Sequence, residues 1–204
     1  MSSLKEAYTS GARGLASRSI TGLARTRVTP NMLTAAGVTL CAVGAVLVYF
    51  EYRHELLFFW LGGLAFVVGS VLDILDGALA RAGGKQSPFG GFLDSTLDRV
   101  GEGLMLGAIA LIFMRDGNEL ALGLATAAIG GSFLVPYARA KAEGLGIKGD
   151  VGIGSRAERV VVISVGLAFA PWGLLPWAIA LLALTAWFTV LQRILHVRGE
   201  LRAR

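Results

Sequence analysis

Asp73-Ile74-Leu75-Asp76-Gly77-Ala78-Leu79-Ala80-Arg81, followed eight residues later by Gly90-Gly91-Phe92-Leu93-Asp94-Ser95-Thr96-Leu97-Asp98-Arg99, is the stretch whose reading decides the fold. Asp73 and Asp76 are three residues apart and Asp94 and Asp98 four apart, so on helices each pair shares a face. The apolar run that starts at Leu56 meets its first charge at Asp73 and continues helically to Arg81, where Gly83-Gly84 breaks it. Ser87-Pro88 then has the form of an N-cap followed by proline at the first helical position. The two helices make a hairpin through 82–89. At 1.5 Å per residue, Asp73 and Asp98 both lie about 12 Å from their helix ends, and Asp76 and Asp94 lie nearer the loop at about 6–8 Å. Four carboxylates therefore converge at one depth inside apolar helices.

The flanking sequence makes that environment a membrane. Residues 28–50 carry no charge over 23 positions, more than the roughly 20 needed to cross a bilayer. A helix is expected from Thr29-Pro30-Asn31, one from Leu56, one from Ser87-Pro88 to about Met114, and one from near Asn118 to the Gly144-Leu145-Gly146 stop. Ser155-Arg156-Ala157-Glu158 has capping-box spacing. Residues 160–192 are uncharged over 33 positions, too long for one span, and Pro171-Trp172-Gly173 with Pro176 divides them. The expected fold is an all-α integral membrane protein with six transmembrane helices over 28–204. Residues 1–27 intersperse Lys5, Arg13, Arg18, Arg25 and Arg27 with apolar residues and are expected to form an interfacial amphipathic helix. Of the 19 Lys and Arg, 17 fall on one side of this arrangement, which places that side and both termini in the cytoplasm.

Composition agrees. Of 204 residues, 54% are hydrophobic and 16% charged, with mean hydropathy +0.65; soluble domains carry about 25% charged residues. Disorder is excluded by the same figures. One cysteine, Cys41, excludes an intrachain disulfide framework, and no Cys/His set forms a zinc site. No apolar signal-peptide core precedes residue 28. The net charge of +5 is read as membrane-facing, with membrane lipids and not nucleic acid as its partners. The 28 glycines are read as close helix packing, and Gly103-x3-Gly107 as a small-residue motif for helix contact or dimerisation.

Each charged aspartate costs roughly 2.5–3.5 kcal/mol at mid-membrane, and four together repel one another. They need a cation, and oxygen ligands without His or Cys suggest magnesium, manganese or calcium. Four carboxylates suffice for two divalent ions. Magnesium is commonly held by few carboxylates plus substrate phosphates, so the expected substrate is a phosphate or diphosphate. A cation transporter is the rival from another class, but no repeat of the hairpin occurs elsewhere in the chain.

The pattern D-x2-D-G-x2-A-R-x8-G-x3-D-x3-D, carried by Asp73, Asp76, Gly77, Ala80, Arg81, Gly90, Asp94 and Asp98, resembles the signature of the CDP-alcohol phosphotransferase family at every fixed position. The resemblance implies transfer of a phosphatidyl group from CDP-diacylglycerol to an alcohol, with release of CMP and two Mg2+ ions (Mn2+ being an alternative) at the aspartates. It implies that Asp73 and Asp94 bridge both ions, that Asp76 binds one, and that Asp98 binds the other and is the base. It further implies CDP-lipid contacts at Asn31, Met32, Leu33, Thr34, Gly77, Ala80, Arg81 and Ser87, and a homodimer.

Arg139, Lys141, Lys148, Arg156 and Arg159 crowd the fourth-to-fifth loop, and Arg193 lies near the end of the last helix. So many cations beside a carboxylate site favour a phosphate-bearing acceptor, which within the family implies a phosphorylated polyol. Within the family these segments resemble the prokaryotic phosphatidylinositol phosphate synthases, although Pro136 and Ala157 replace that branch's usual Ser and Pro. The resemblance implies inositol 1-phosphate as acceptor, its phosphate held by Arg139, Arg159 and Arg193, in a prokaryotic plasma membrane; glycerol 3-phosphate is the alternative. His54 and His196 are expected to be structural, and the four tryptophans to serve as interface anchors or packing.

Overall fold

The structure is a computed structural model that describes residues 29–84, 86–149 and 151–203. The interfacial helix expected at 1–27 lies outside the described residues. Six α-helices are described: α1 (Pro30–Tyr49), α2 (Glu55–Ala82), α3 (Pro88–Arg115), α4 (Glu119–Gly144), α5 (Arg156–Ala168) and α6 (Leu175–Ala203). Their starts are set by side chains that satisfy first-turn N–H groups. Thr29 Oγ1 accepts from Met32 N at 3.3 Å, Ser87 Oγ from Gly90 N at 3.0 Å and Asn118 Oδ1 from Ala121 N at 3.0 Å. At α5 the expected capping box is complete, with Ser155 N donating to Glu158 Oε2 at 2.7 Å and Glu158 N to Ser155 Oγ at 3.4 Å. A 3-10 turn at Ala170–Trp172 and left-handed Gly173 (φ 80°) divide α5 from α6, where Pro171-Trp172-Gly173 predicted a break.

The six expected transmembrane helices are not all matched. Among the described residues, α1, α2, α4 and α6 are long and apolar enough to span a bilayer. α5 has 13 residues, about 20 Å at the helical rise, short of the roughly 30 Å core. α3 has the length, but Asp94, Asp98, Arg99 and Glu102 interrupt its apolar run. Leu64, Ile74, Val161, Trp177 and Leu184 are exposed on the outer faces, the surface expected of a membrane protein.

α1 and α2 touch through two glycine pairs. A Cβ added to Gly37 would lie 2.8 Å from Gly69 O, and one on Gly69 would lie 2.6 Å from Gly37 O. Gly44 and Gly62 repeat the contact seven residues away, at 2.7 and 2.8 Å. Backbones this close leave no room for side chains. The Gly37 contact also sets α1 against Asp73, whose Cβ would be 3.8 Å from a Cβ at Gly37. Gly103 packs on Phe133 of α4, whereas Gly107 has open space beside it. The core between α3, α5 and α6 is filled by Met105, Leu106, Ile109, Ile163, Leu167, Ile179 and Leu182. Trp60 Nε1 donates to Ala168 O at 3.1 Å and Trp187 Nε1 to Ala127 O at 2.9 Å, so these two tryptophans tie helix pairs together.

Gly69→Ala is expected to lower stability by about 1–3 kcal/mol through overpacking, although alanine is the better helix former. Gly107→Ala is expected to be neutral or slightly stabilising. Thermal unfolding of both variants in one detergent checks this; equal melting points would mean that the α1–α2 approach is not tight.

Candidate active site

The hairpin of α2 and α3 brings Asp73, Asp76 and Asp94 together. One carboxylate oxygen from each lies within 4.8 Å of the others. Asp76 is buried, and the Thr34 hydroxyl of α1 donates to its Oδ2. Thr34 reaches Asp76 because α1 and α2 are in contact a helical turn or two away, at Gly37 and Gly69. Asp98 is one turn further along α3, outside this trio of oxygens but facing Asp73. Its Oδ1 lies 2.8 Å from Arg156 Nη1 yet forms no hydrogen bond. The same Nη1 donates to Asp73 Oδ2. Arg156 is the first residue of α5, so α5 delivers a cation between the two aspartates.

Beside the trio is a cavity of about 240 Å³ at the hairpin mouth. Asn31, Thr34, Gly77, Ala80, Arg81 and Ser87 line it, together with Asp76, Asp94, Gly90 and Gly91. Six of the eight positions expected to contact CDP-lipid thus share one cavity. Met32 is exposed on the outer face of α1 and Leu33 is buried in the core; neither is among the lining residues. Glycine shapes the wall: a Cβ at Gly77 would lie 3.4 Å from Arg81 Nη1, and one at Gly90 would lie 3.1 Å from Ser87 Oγ.

The three arginines expected to bind acceptor phosphate hold different partners. Arg159 is buried, with Nε 2.7 Å and Nη2 2.9 Å from the two oxygens of Glu102, and its Nη1 donates to Gly154 O at 2.9 Å. Arg193 is buried, donating from Nε to Val151 O at 2.9 Å and from Nη1 to Val135 O. Arg139 is exposed and pairs with Glu143 at 2.8 Å. All three adjoin the loop between α4 and α5: Arg159 at Gly154, Arg193 at Val151, and Arg139 beside Gly149. The sequence reading missed Glu102. Part of its signal was present: Asp94, Asp98 and Glu102 recur every four residues on α3 and Arg156 and Arg159 are three apart on α5, but only the structure shows that these faces meet.

The family model for CDP-alcohol phosphatidyltransferases matches residues 27–195, and the chain belongs to that family, making it a transferase of substituted phosphate groups. It is 35% identical over 181 residues, 88% of each chain, to an archaetidylinositol phosphate synthase of Pyrococcus horikoshii. It is 37% identical over 188 residues, 86% of this chain and 88% of the other, to a phosphatidylinositol phosphate synthase of Cutibacterium acnes. The crystal structure of Mycobacterium tuberculosis phosphatidylinositol phosphate synthase with CDP-DAG bound superposes with a TM-score of 0.79 at 26% identity, over 89% of this chain and 92% of that one. The same enzyme in complex with manganese and citrate gives 0.78.

Proposed function

We propose that the chain transfers a phosphatidyl group from CDP-diacylglycerol to inositol 1-phosphate, releasing CMP. The observation that carries this is the oxygen trio of Asp73, Asp76 and Asp94 opening onto the cavity between Gly77, Arg81 and Ser87. Three hard oxygen donors this close fit a divalent cation, and Asp98, now ion-paired with Arg156, offers a further carboxylate. Asp73, Asp76 and Asp94 would hold one Mg2+ or Mn2+, and Asp98 with Asp73 and Asp94 a second. When bound, such cations offset the charge of the diphosphate and of the departing CMP.

The chain's own residues do the rest. Thr34 fixes Asp76, and the cavity wall receives the cytidine diphosphate, its phosphates near Arg81 and Ser87. Asp98 takes the proton of the acceptor hydroxyl as its oxygen bonds to the β-phosphorus and the bond to CMP breaks. Arg139 and Arg193 would meet the acceptor phosphate at the loop between α4 and α5. Arg159 supports the same pocket from its wall by holding Gly154. Relatives of both the phosphatidylinositol and archaetidylinositol phosphate synthase branches support a phosphorylated inositol as acceptor. The proposal places the site and both termini at the cytoplasmic face, which maleimide labelling of a cysteine introduced at Lys148 tests in intact cells. It also includes a homodimer, tested by cross-linking in membranes.

The experiment is CMP release from CDP-diacylglycerol with inositol 1-phosphate, glycerol 3-phosphate, inositol and serine, with magnesium or manganese and with excess chelator. Inositol 1-phosphate is expected to exceed free inositol by several powers of ten, because the phosphate adds two or three charge-assisted hydrogen bonds of roughly 1.5–3 kcal/mol each. Chelation is expected to abolish release. Preference for glycerol 3-phosphate would move the chain to another branch of the family. Full turnover in chelator would sink the metal assignment.

A further inference from the structure

Arg156 has a place in this site that a membrane anchor does not need. It is the first residue of α5, and a cation there meets the positive end of the helix dipole. Two carboxylates from the other two helices offset that. Nη1 donates to Asp73 and lies 2.8 Å from Asp98. The side chain is 26% exposed, and those of Asp73 and Asp98 are 10% and 20%. Nε is buried without a hydrogen-bond partner. One nitrogen is thus shared by two carboxylates, while the opposite side of the guanidinium has an unused donor.

The carboxylates divide accordingly. Asp73, Asp76 and Asp94 offer three clustered oxygens. Asp98 lies outside that cluster but faces Asp73 directly, and the two share Nη1 of Arg156. A first dication can be taken by the trio, of which only Asp73 also touches the arginine. A second, lying between Asp73 and Asp98, needs the position that Nη1 occupies.

We infer that Arg156 is a built-in competitor for the second divalent cation: its guanidinium holds Asp73 and Asp98 together, and loading of the second ion displaces it. Once displaced, its unused Nε and neighbouring Nη2 form a fork suited to a phosphate or other tetrahedral dianion. Second-ion binding and anion binding are then coupled through one side chain, and the coupling is reciprocal. A purely coulombic role for Arg156 would instead tighten both ions when its charge is removed and would give no coupling to an anion.

The inference rests on the metal reading of the aspartates, and the test separates the two. Manganese binding to the full chain in lipid nanodiscs is followed by electron paramagnetic resonance, which distinguishes free from bound Mn2+. Sulfate serves as the anion probe. The wild type is expected to bind one Mn2+ tightly and a second at least about 10-fold more weakly, the second strengthened by sulfate. In Arg156→Gln the second ion is expected to bind at least about 10-fold more tightly than in the wild type, and sulfate is expected to lose its effect. Arg156→Lys keeps the charge without the fork; it is expected to keep the weak second site and lose most of the sulfate effect, which guards against misfolding of the glutamine variant. An unchanged or weakened second site in Arg156→Gln, with sulfate coupling retained, overturns the inference while leaving the metal site standing. Absence of Mn2+ binding to the wild type overturns both.

Discussion

Glu102→Leu is expected to destabilise the protein by about 3–5 kcal/mol, because it leaves the buried Arg159 guanidinium without its counter-charge. The pair is bidentate, and both side chains are nearly inaccessible, at 5% and 3% exposure. Arg159→Met should cost a similar amount for the mirror reason, plus about 1 kcal/mol for the hydrogen bond to Gly154 O. The double variant Glu102→Leu/Arg159→Met should recover most of the loss, because an apolar pair of similar volume often replaces a buried ion pair without penalty. Unfolding of all four proteins in the same detergent gives the coupling energy directly. Additive losses would show that the pair does not interact as drawn. Turnover adds a second reading. A double variant that is stable yet inactive would return Arg159 to a direct role at the acceptor phosphate, whereas one that is stable and active would leave it holding Gly154 only.

That buried pair marks where the sequence stops being legible. Helix starts could be read because capping is local: Thr29-Pro30, Ser87-Pro88 and Ser155 with Glu158 each carry their signal within four residues. The aspartate trio was equally accessible, since the spacing on α2 and α3 fixes the facing side chains once a hairpin is granted. Contacts between segments far apart in sequence were not. Glu102 meets Arg159 across 57 positions and Arg156 meets Asp73 across 83; no periodicity joins them. The arginines were read as a phosphate-binding group, and nothing in their spacing announced the partners they hold: Arg139 and Arg159 pair with Glu143 and Glu102, and Arg159 and Arg193 donate to backbone carbonyls. Glycine content predicted close packing without saying where. Gly103-x3-Gly107 drew attention by its spacing, while the tight contacts are Gly37 with Gly69 and Gly44 with Gly62. The division of the uncharged run of 33 residues was legible at Pro171-Trp172-Gly173, and α5 ends just before it at Ala168; at 13 residues this helix is short of a full span.

The largest effect is expected at the four aspartates, and its pattern across them tests the roles assigned. Asp98→Asn keeps the shape of the side chain but removes its charge and basicity. CMP release is expected to fall by at least about 100-fold, the scale of lost general-base catalysis. Binding of CDP-diacylglycerol should survive better than in Asp73→Asn, because Asp98 lies outside the oxygen trio that opens onto the cavity of Gly77, Arg81 and Ser87. Asp73→Asn should lose both turnover and CDP-lipid binding. Asp73 belongs to the oxygen trio and also faces Arg156, so its neutralisation removes one of the clustered ligands and releases the guanidinium from one of its two carboxylates. Equilibrium binding of CDP-diacylglycerol to each variant in nanodiscs, beside CMP release, separates the two outcomes. Near-normal turnover in Asp98→Asn would place the base elsewhere, and Glu102, one turn further along the same face of α3, is too tightly held by Arg159 to replace it. Loss of CDP-lipid binding in Asp98→Asn equal to that in Asp73→Asn would instead merge the four carboxylates into one indivisible site, and the separation of Asp98 from the trio would carry no functional meaning.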